Sequence, residues 1–183
     1  MKNEVNKPLD HTELCQLTAK RFLKDIALIE YKCMVMSEEP DVLVYDSYAR
    51  TTLYEIKMSR ADYWKDWEKP HRIYKRKSIH KDLEIIDTLY CSIGECRYYV
   101  CPADIIQLED LPEGWGLIWY KNNKFYLKRT SKKFKRNIGL ESRLLINALK
   151  RVKEGRLDNV IIKAYLNKPE KKDITEEREE REE

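Results

Sequence analysis

The chain has 183 residues, 37% of them charged and 42% hydrophobic, and a formal net charge of +4. That length suits one domain with a proper core and is short for two of ordinary size. No apolar run approaches the ~20 residues of a membrane span, and Met1-Lys2-Asn3-Glu4 starts no signal peptide, so a soluble, cytoplasmic protein with no membrane association is expected.

Thr12 is placed to cap a helix running to about Glu30, with Cys15, Ala19, Phe22, Ile26 and Ile29 as its apolar stripe. Tyr31 to Met36 reads as the first strand. Val42 to Tyr45 forms a second β-rich run that ends at Asp46-Ser47, and a short connection through Tyr48 leads to a strand over Thr52 to Met58. Side chains on a strand alternate between faces, so Tyr54, Ile56 and Met58 point one way and Leu53, Glu55 and Lys57 the other. In an antiparallel hairpin of these two strands, Asp41 enters at the end where Glu55 and Lys57 lie.

Ser59-Arg60-Ala61-Asp62 matches a capping pattern with Asp in place of the usual Glu and predicts a short helix directly after Lys57. Its N-terminal amides would be a favourable place for phosphate. Ser78 caps a longer helix carrying Ile79, Leu83, Ile86 and Tyr90, with Gly94 near its stop. Arg97 to Cys101 is the next strand, and Gly116 to Tyr120 pairs with Lys124 to Arg129 through an Asn122-Asn123 turn. A last helix, about Leu140 to Glu154, presents Leu144, Leu145, Ala148, Leu149 and Val152 on one side and ends at Gly155. The stretch after Pro169 alternates charge and predicts disorder or a solvated helix. The domain therefore spans 1–167 and the charged tail 168–183.

Asp41, Glu55 and Lys57 are a minimal set for metal-assisted phosphodiester chemistry. Two carboxylates and a backbone carbonyl such as that of Ile56 suffice for Mg²⁺ or Mn²⁺, which keep several waters. Lys57 is then available to orient or deprotonate water, or to stabilise transition-state charge. The opposing reading is that Glu-x-Lys on an exposed strand is two solvated side chains.

Charge is unevenly distributed. The residues from 168 onward carry −3, which leaves +7 on the rest. Arg60 to Lys81 and Lys121 to Arg136 each hold eight Lys or Arg, interleaved with aromatics in the first case. Lys69, His71, Arg72, Lys75, Arg76, Lys77, Lys128, Arg129, Lys132 and Lys133 are accordingly candidates for nucleic-acid contacts, against a merely solvated surface. The five cysteines, at 15, 33, 91, 96 and 101, include no CxxC pair and read as reduced thiols rather than an iron–sulfur site. His11, His71 and His80 form no metal-ligand spacing.

Pro40-Asp41, thirteen residues, then Glu55-Ile56-Lys57 resembles the PD-(D/E)XK nuclease superfamily. The resemblance extends through Met58 to Asp66, Glu68 to Arg72, Arg97 to Pro102 and Leu111 to Ile118, and is similar to a phage and bacterial branch related to MmcB-type DNA repair proteins. It implies an α/β fold with a restriction-endonuclease-like αβββαβ core, a mixed central sheet flanked by helices. It further implies Mg²⁺- or Mn²⁺-dependent DNA endonuclease activity in repair, recombination or processing, in a bacterial or phage-infected cell. Homodimers, frequent in the superfamily, would let two sites cut two strands. Some members add a glutamate from the first helix. Glu13 is the position here, although the apolar stripe of that helix puts it on the opposite, solvated side. The Gln-x-x-x-Tyr element of the RecB-like branch is missing after Lys57. Because several branches have lost catalysis, an inactive nucleic-acid-binding protein on the same fold is the alternative expectation.

Overall fold

The computed structural model describes residues 9–32, 39–68, 93–155 and 160–163. Its elements are α1 (His11–Phe22), β1 (Ile26–Ile29), β2 (Val42–Tyr45), β3 (Thr51–Ile56), α2 (Arg60–Glu68), β4 (Cys96–Pro102), a 3₁₀ turn (Leu108–Asp110), β5 (Gly116–Lys121), β6 (Lys124–Arg129), α3 (Ile138–Lys153) and β7 (Val160–Ile162). The protein is α/β. Seven strands form one mixed sheet in the order β6-β5-β4-β3-β2-β1-β7, so β3 is central. β1, β2 and β3 pair antiparallel, while β4 runs parallel to both β3 and β5. No helix among the described residues is long and apolar enough to cross a membrane.

Strand alternation sends successive apolar residues to two separate cores. Leu43, Leu53, Tyr99, Cys101 and Leu117 pack with Tyr63 of α2 and with Leu140, Leu144 and Ala148 of α3. Val42, Val44, Tyr54, Ile56, Val100 and Ile118 pack with Leu14, Cys15 and Ala19 of α1. Because both faces are covered, the four residues of β2 are all buried, as an unbroken apolar run requires.

Two sequence-based boundaries need correction. The first helix ends at Phe22 rather than near Glu30, and the first strand is Ile26–Ile29; of the strand expected over Tyr31 to Met36, Tyr31 and Lys32 are outside any strand and the remainder lies outside the described residues. Ile26 and Ile29 continue the helical period only by coincidence; the intervening Lys24-Asp25 forms the turn into β1, where Asp25 N donates to Tyr45 O. The N-cap of α1 is Asp10, whose carboxylate accepts from Glu13 N at 2.8 Å, not Thr12. Leu149, assigned to the apolar side of α3, is exposed, whereas Leu144 and Ala148 are buried. The helix expected after Ser78 lies outside the described residues.

Local signals are realised where they are purely local. Ser59 Oγ accepts from Asp62 N and the Asp62 carboxylate accepts from Met58 N, a reciprocal cap at the start of α2. Asn122 and Asn123 both take positive φ, 50° and 58°, as a two-residue hairpin turn demands.

A buried polar knot pins α3 to the far end of β3. Glu141 is 2% exposed. Its Oε1 accepts from Thr51 Oγ1 and Gly94 N, each at 2.8 Å, and its Oε2 from Arg136 at 2.8 Å. Gly94 sits at φ 83° with an imagined Cβ only 2.7 Å from Leu53 Cβ, so no larger residue fits there. Replacing Glu141 by Ala takes the acceptor from the Thr51 hydroxyl and the buried Gly94 amide and one partner from the part-buried Arg136, which keeps its bond to Ala49 O, and should lower unfolding free energy by about 2–4 kcal/mol. Urea denaturation followed by circular dichroism measures this; a loss under ~1 kcal/mol would show the knot to be incidental.

Candidate active site

The opposite end of β3 carries Glu55, Ile56 and, just beyond the strand, Lys57. Parity puts Glu55 and Lys57 on the Leu53 side, under α2, while Tyr54 and Ile56 face α1. Glu55 and Lys57 are 3% and 4% exposed, which removes the reading of two solvated side chains. The Lys57 ammonium lies 3.4 Å from Glu55 Oε2 and 3.3 Å from Asp66 Oδ1. Burial alone would lower the pKa of Lys57, but Glu55 and Asp66, with smaller contributions from Asp41 and Asp62, outweigh it and raise it. Lys57 is therefore held as an ammonium, and its stabilising contribution is fully present below the ordinary lysine value and lost only under strongly alkaline conditions. A role for Lys57 as a base is correspondingly disfavoured.

Asp66 went unrecognised in the sequence. It is 2% exposed and also accepts from Tyr99 OH at 3.1 Å. Its signal was faint: it follows Tyr63 by three residues, which places both on the sheet-facing side of α2, and Tyr63 packs edge-on against Tyr99 at 5.1 Å.

Asp41 sits at the entrance of β2. Extending the register of Val42 opposite Tyr54 places Asp41 opposite Glu55. Its Oδ2 accepts from Ile56 N at 2.7 Å, so the carboxylate rests on the peptide that joins Glu55 to Ile56. Its Oδ1 turns toward α1, 3.6 Å from His11 Nε2. With 19% of its side chain exposed, Asp41 is the member of the motif that solvent reaches.

The helix contributes His11 where the sequence pointed to Glu13. Glu13 is exposed, on the side of α1 away from Leu14 and Cys15. His11, by contrast, lies between two carboxylates: Nδ1 is 3.3 Å from Glu30 Oε1 and Nε2 faces Asp41. Hydrogen bonding to Asp41 raises its pKa, burial opposes, and the charges of Asp41 and Glu30 add to the rise. Glu30 reaches this position through a left-handed backbone, φ 43°, a conformation that costs a non-glycine residue about 1–2 kcal/mol. Its amide donates to Asp41 O at 2.7 Å, which fastens the strained residue to the motif. Cys15 Sγ completes the group, 3.6 Å from His11 Nδ1. Burial pushes this thiol well up from its ordinary value.

The described basic candidates divide into two sorts. Arg129 is a structural brace rather than a free cation: its guanidinium donates to the carbonyls of Trp115, Pro112 and Leu108 at 2.8, 3.0 and 3.3 Å. Lys128 lies over the Trp119 ring at 4.4 Å, Lys132 pairs with Glu113 at 3.3 Å and Lys133 with Glu95 at 2.9 Å, all three lysines being exposed. Lys69, His71, Arg72, Lys75, Arg76 and Lys77 lie outside the described residues.

Replacing Lys57 by Met removes the cation from between Glu55 and Asp66 and should cost about 3–5 kcal/mol at neutral pH. Without it, burial favours the protonated carboxyls, so the deficit should shrink as pH falls toward 5. Urea midpoints of both proteins across that range provide the check; a deficit independent of pH would contradict the ion-pair account.

No family model and no curated protein matches this chain. Among solved structures, it is similar to a protein of unknown function from Silicibacter pomeroyi, at 15% identity and a TM-score of 0.51, over 82% of this chain and 94% of that one. The likeness bears on the α/β fold alone.

Proposed function

We propose that the protein is a metal-dependent DNA endonuclease of the PD-(D/E)XK type, hydrolysing phosphodiester bonds at the Asp41 end of β3. The observation that carries this reading is the Asp41 carboxylate seated on the Glu55–Ile56 amide while Lys57, two residues on, is held as a buried ammonium. The order α1-β1-β2-β3-α2-β4 is in keeping with it.

The donor set suits Mg²⁺ or Mn²⁺. Asp41, Glu55 and the Ile56 carbonyl offer hard oxygens at one strand end, and Asp41 is open to water. Such an ion, when bound, polarises a phosphoryl oxygen and acidifies a coordinated water. Lys57 stabilises negative charge that develops on the phosphate, its position fixed by Glu55 and Asp66. Exposed Lys128 supplies a sequence-independent phosphate contact, whose share of the affinity falls as salt rises, whereas Lys132 and Lys133 pair with Glu113 and Glu95 toward the Thr51 end of the sheet. Arg129 is left out of that role.

A second reading rests on the deep burial of Glu55, Lys57 and Asp66. A closed ion cluster would serve a nucleic-acid-binding protein that does not cut. Plasmid, linear, single-stranded and branched DNA incubated with Mg²⁺ or Mn²⁺ separates the two. The endonuclease yields products that disappear with EDTA and fall at least ~100-fold in Lys57→Ala. Salt-sensitive binding without turnover in either metal would instead establish the binding protein.

A further inference from the structure

His11, Cys15 and Glu30 bring a nitrogen, a sulfur and an oxygen donor within 4.8 Å of one another. Their chemistry differs from that of Asp41 and Glu55, because a thiolate and an imidazole select a borderline-soft cation rather than Mg²⁺. The local geometry follows from the chain. His11 and Cys15 are four residues apart on α1 and share a face, and the left-handed turn at Glu30 brings a third donor to them from the end of β1. The two separations made by His11 Nδ1 also match tetrahedral edges. With Zn–N and Zn–O near ~2.0 Å and Zn–S near ~2.3 Å, tetrahedral edges come to about 3.3 Å for N···O and about 3.5 Å for N···S. The observed values are 3.3 Å for His11 Nδ1 to Glu30 Oε1 and 3.6 Å for His11 Nδ1 to Cys15 Sγ.

The surroundings complete the pattern. Asp41 Oδ1 faces the other ring nitrogen of His11, Nε2, so a proton held there leaves Nδ1 as the ligating atom. Thr12 Oγ1 donates to Glu30 Oε1 at 3.2 Å and steadies that carboxylate. The His11 and Glu30 side chains are 36% and 32% exposed, which leaves a fourth position within reach of water.

From this geometry we infer that His11 Nδ1, Cys15 Sγ and a Glu30 carboxylate oxygen bind one Zn²⁺, with Asp41 as the outer carboxylate that orients His11. The site is distinct from the Mg²⁺ or Mn²⁺ set and touches it only through Asp41. Zinc there would fix α1 and the end of β1 around the Asp41 backbone.

Cobalt titration of the chelator-stripped full chain, without nucleic acid, tests the assignment independently of cleavage. One equivalent should bind and produce a sulfur-to-cobalt charge-transfer band that added Zn²⁺ abolishes. Cys15→Ser should remove the band, His11→Gln and Glu30→Gln should each weaken binding at least tenfold, and Asp41→Asn should weaken it about tenfold through His11. Glu55→Gln should leave cobalt binding unchanged. Since Cys15 is fully buried, circular dichroism controls for its folding, and the half-exposed His11 and Glu30 variants keep the test decisive if it misfolds. The band persisting in folded Cys15→Ser, both glutamine variants at full affinity, or loss of binding in Glu55→Gln would each overturn the assignment.

Discussion

The Lys57 ammonium held between Glu55 and Asp66 is the constraint around which this end of the molecule is arranged. Three charged groups removed from water are tolerable only if each finds a partner at good geometry. That requirement fixes the angle of α2, because Asp66 must face the sheet, and it holds Tyr99 in line as a donor to Asp66. The aromatic packing of Tyr63 on Tyr99 and of Tyr99 on Trp115 then follows from the same placement. Charge and apolar packing cooperate here, since the rings keep water away from the ion cluster and the cluster orients the helix that carries Tyr63.

β3 carries buried charge at both ends, and the contrast is instructive. At its start, Glu141 has donors on both oxygens from Thr51, Gly94 and Arg136, so its acceptors are occupied by the protein itself. That knot joins helix to sheet. At its end, Glu55 and Lys57 lie inside while Asp41, His11 and Glu30 grade outward to water. A buried charge backed by half-exposed donors is an arrangement in which a ligand can exchange with solvent, which is why the functional reading attaches to this end.

The two faces of the sheet divide the chemistry at that end. Hard oxygen donors and the ammonium belong to the α2 side, while the imidazole and thiol belong to α1. Asp41 stands between them, one oxygen on the Ile56 amide and the other toward His11. A change at His11 is therefore felt at Asp41, and any ion held by Asp41 acts on the orientation of His11.

Much of the fold was legible locally. The Ser59–Asp62 cap, the Asn122-Asn123 turn, the stop of α3 at Gly155, and the alternation of Leu53, Glu55 and Lys57 each depend on neighbours within about four residues. β1 was misread because Ile26 and Ile29 fit a helical stripe, and β7, three residues long, has no meaning until β1 lies beside it. The candidate site was legible only in part. Asp41, Glu55 and Lys57 share one hairpin, whose register the sequence itself implies. His11, Glu30 and Asp66 join them only because α1, β1 and α2 pack on the ends of β2 and β3, and contacts between residues so far apart in the chain are set by tertiary packing rather than by any local period. The sequence alone determined which residue types could do chemistry and that Asp41, Glu55 and Lys57 fall on one hairpin. The tertiary structure decided that Lys57 is buried as an ammonium, that Glu13 is a surface residue, and that Arg129 holds a loop. Burial and partnership are properties of the assembled sheet and its helices.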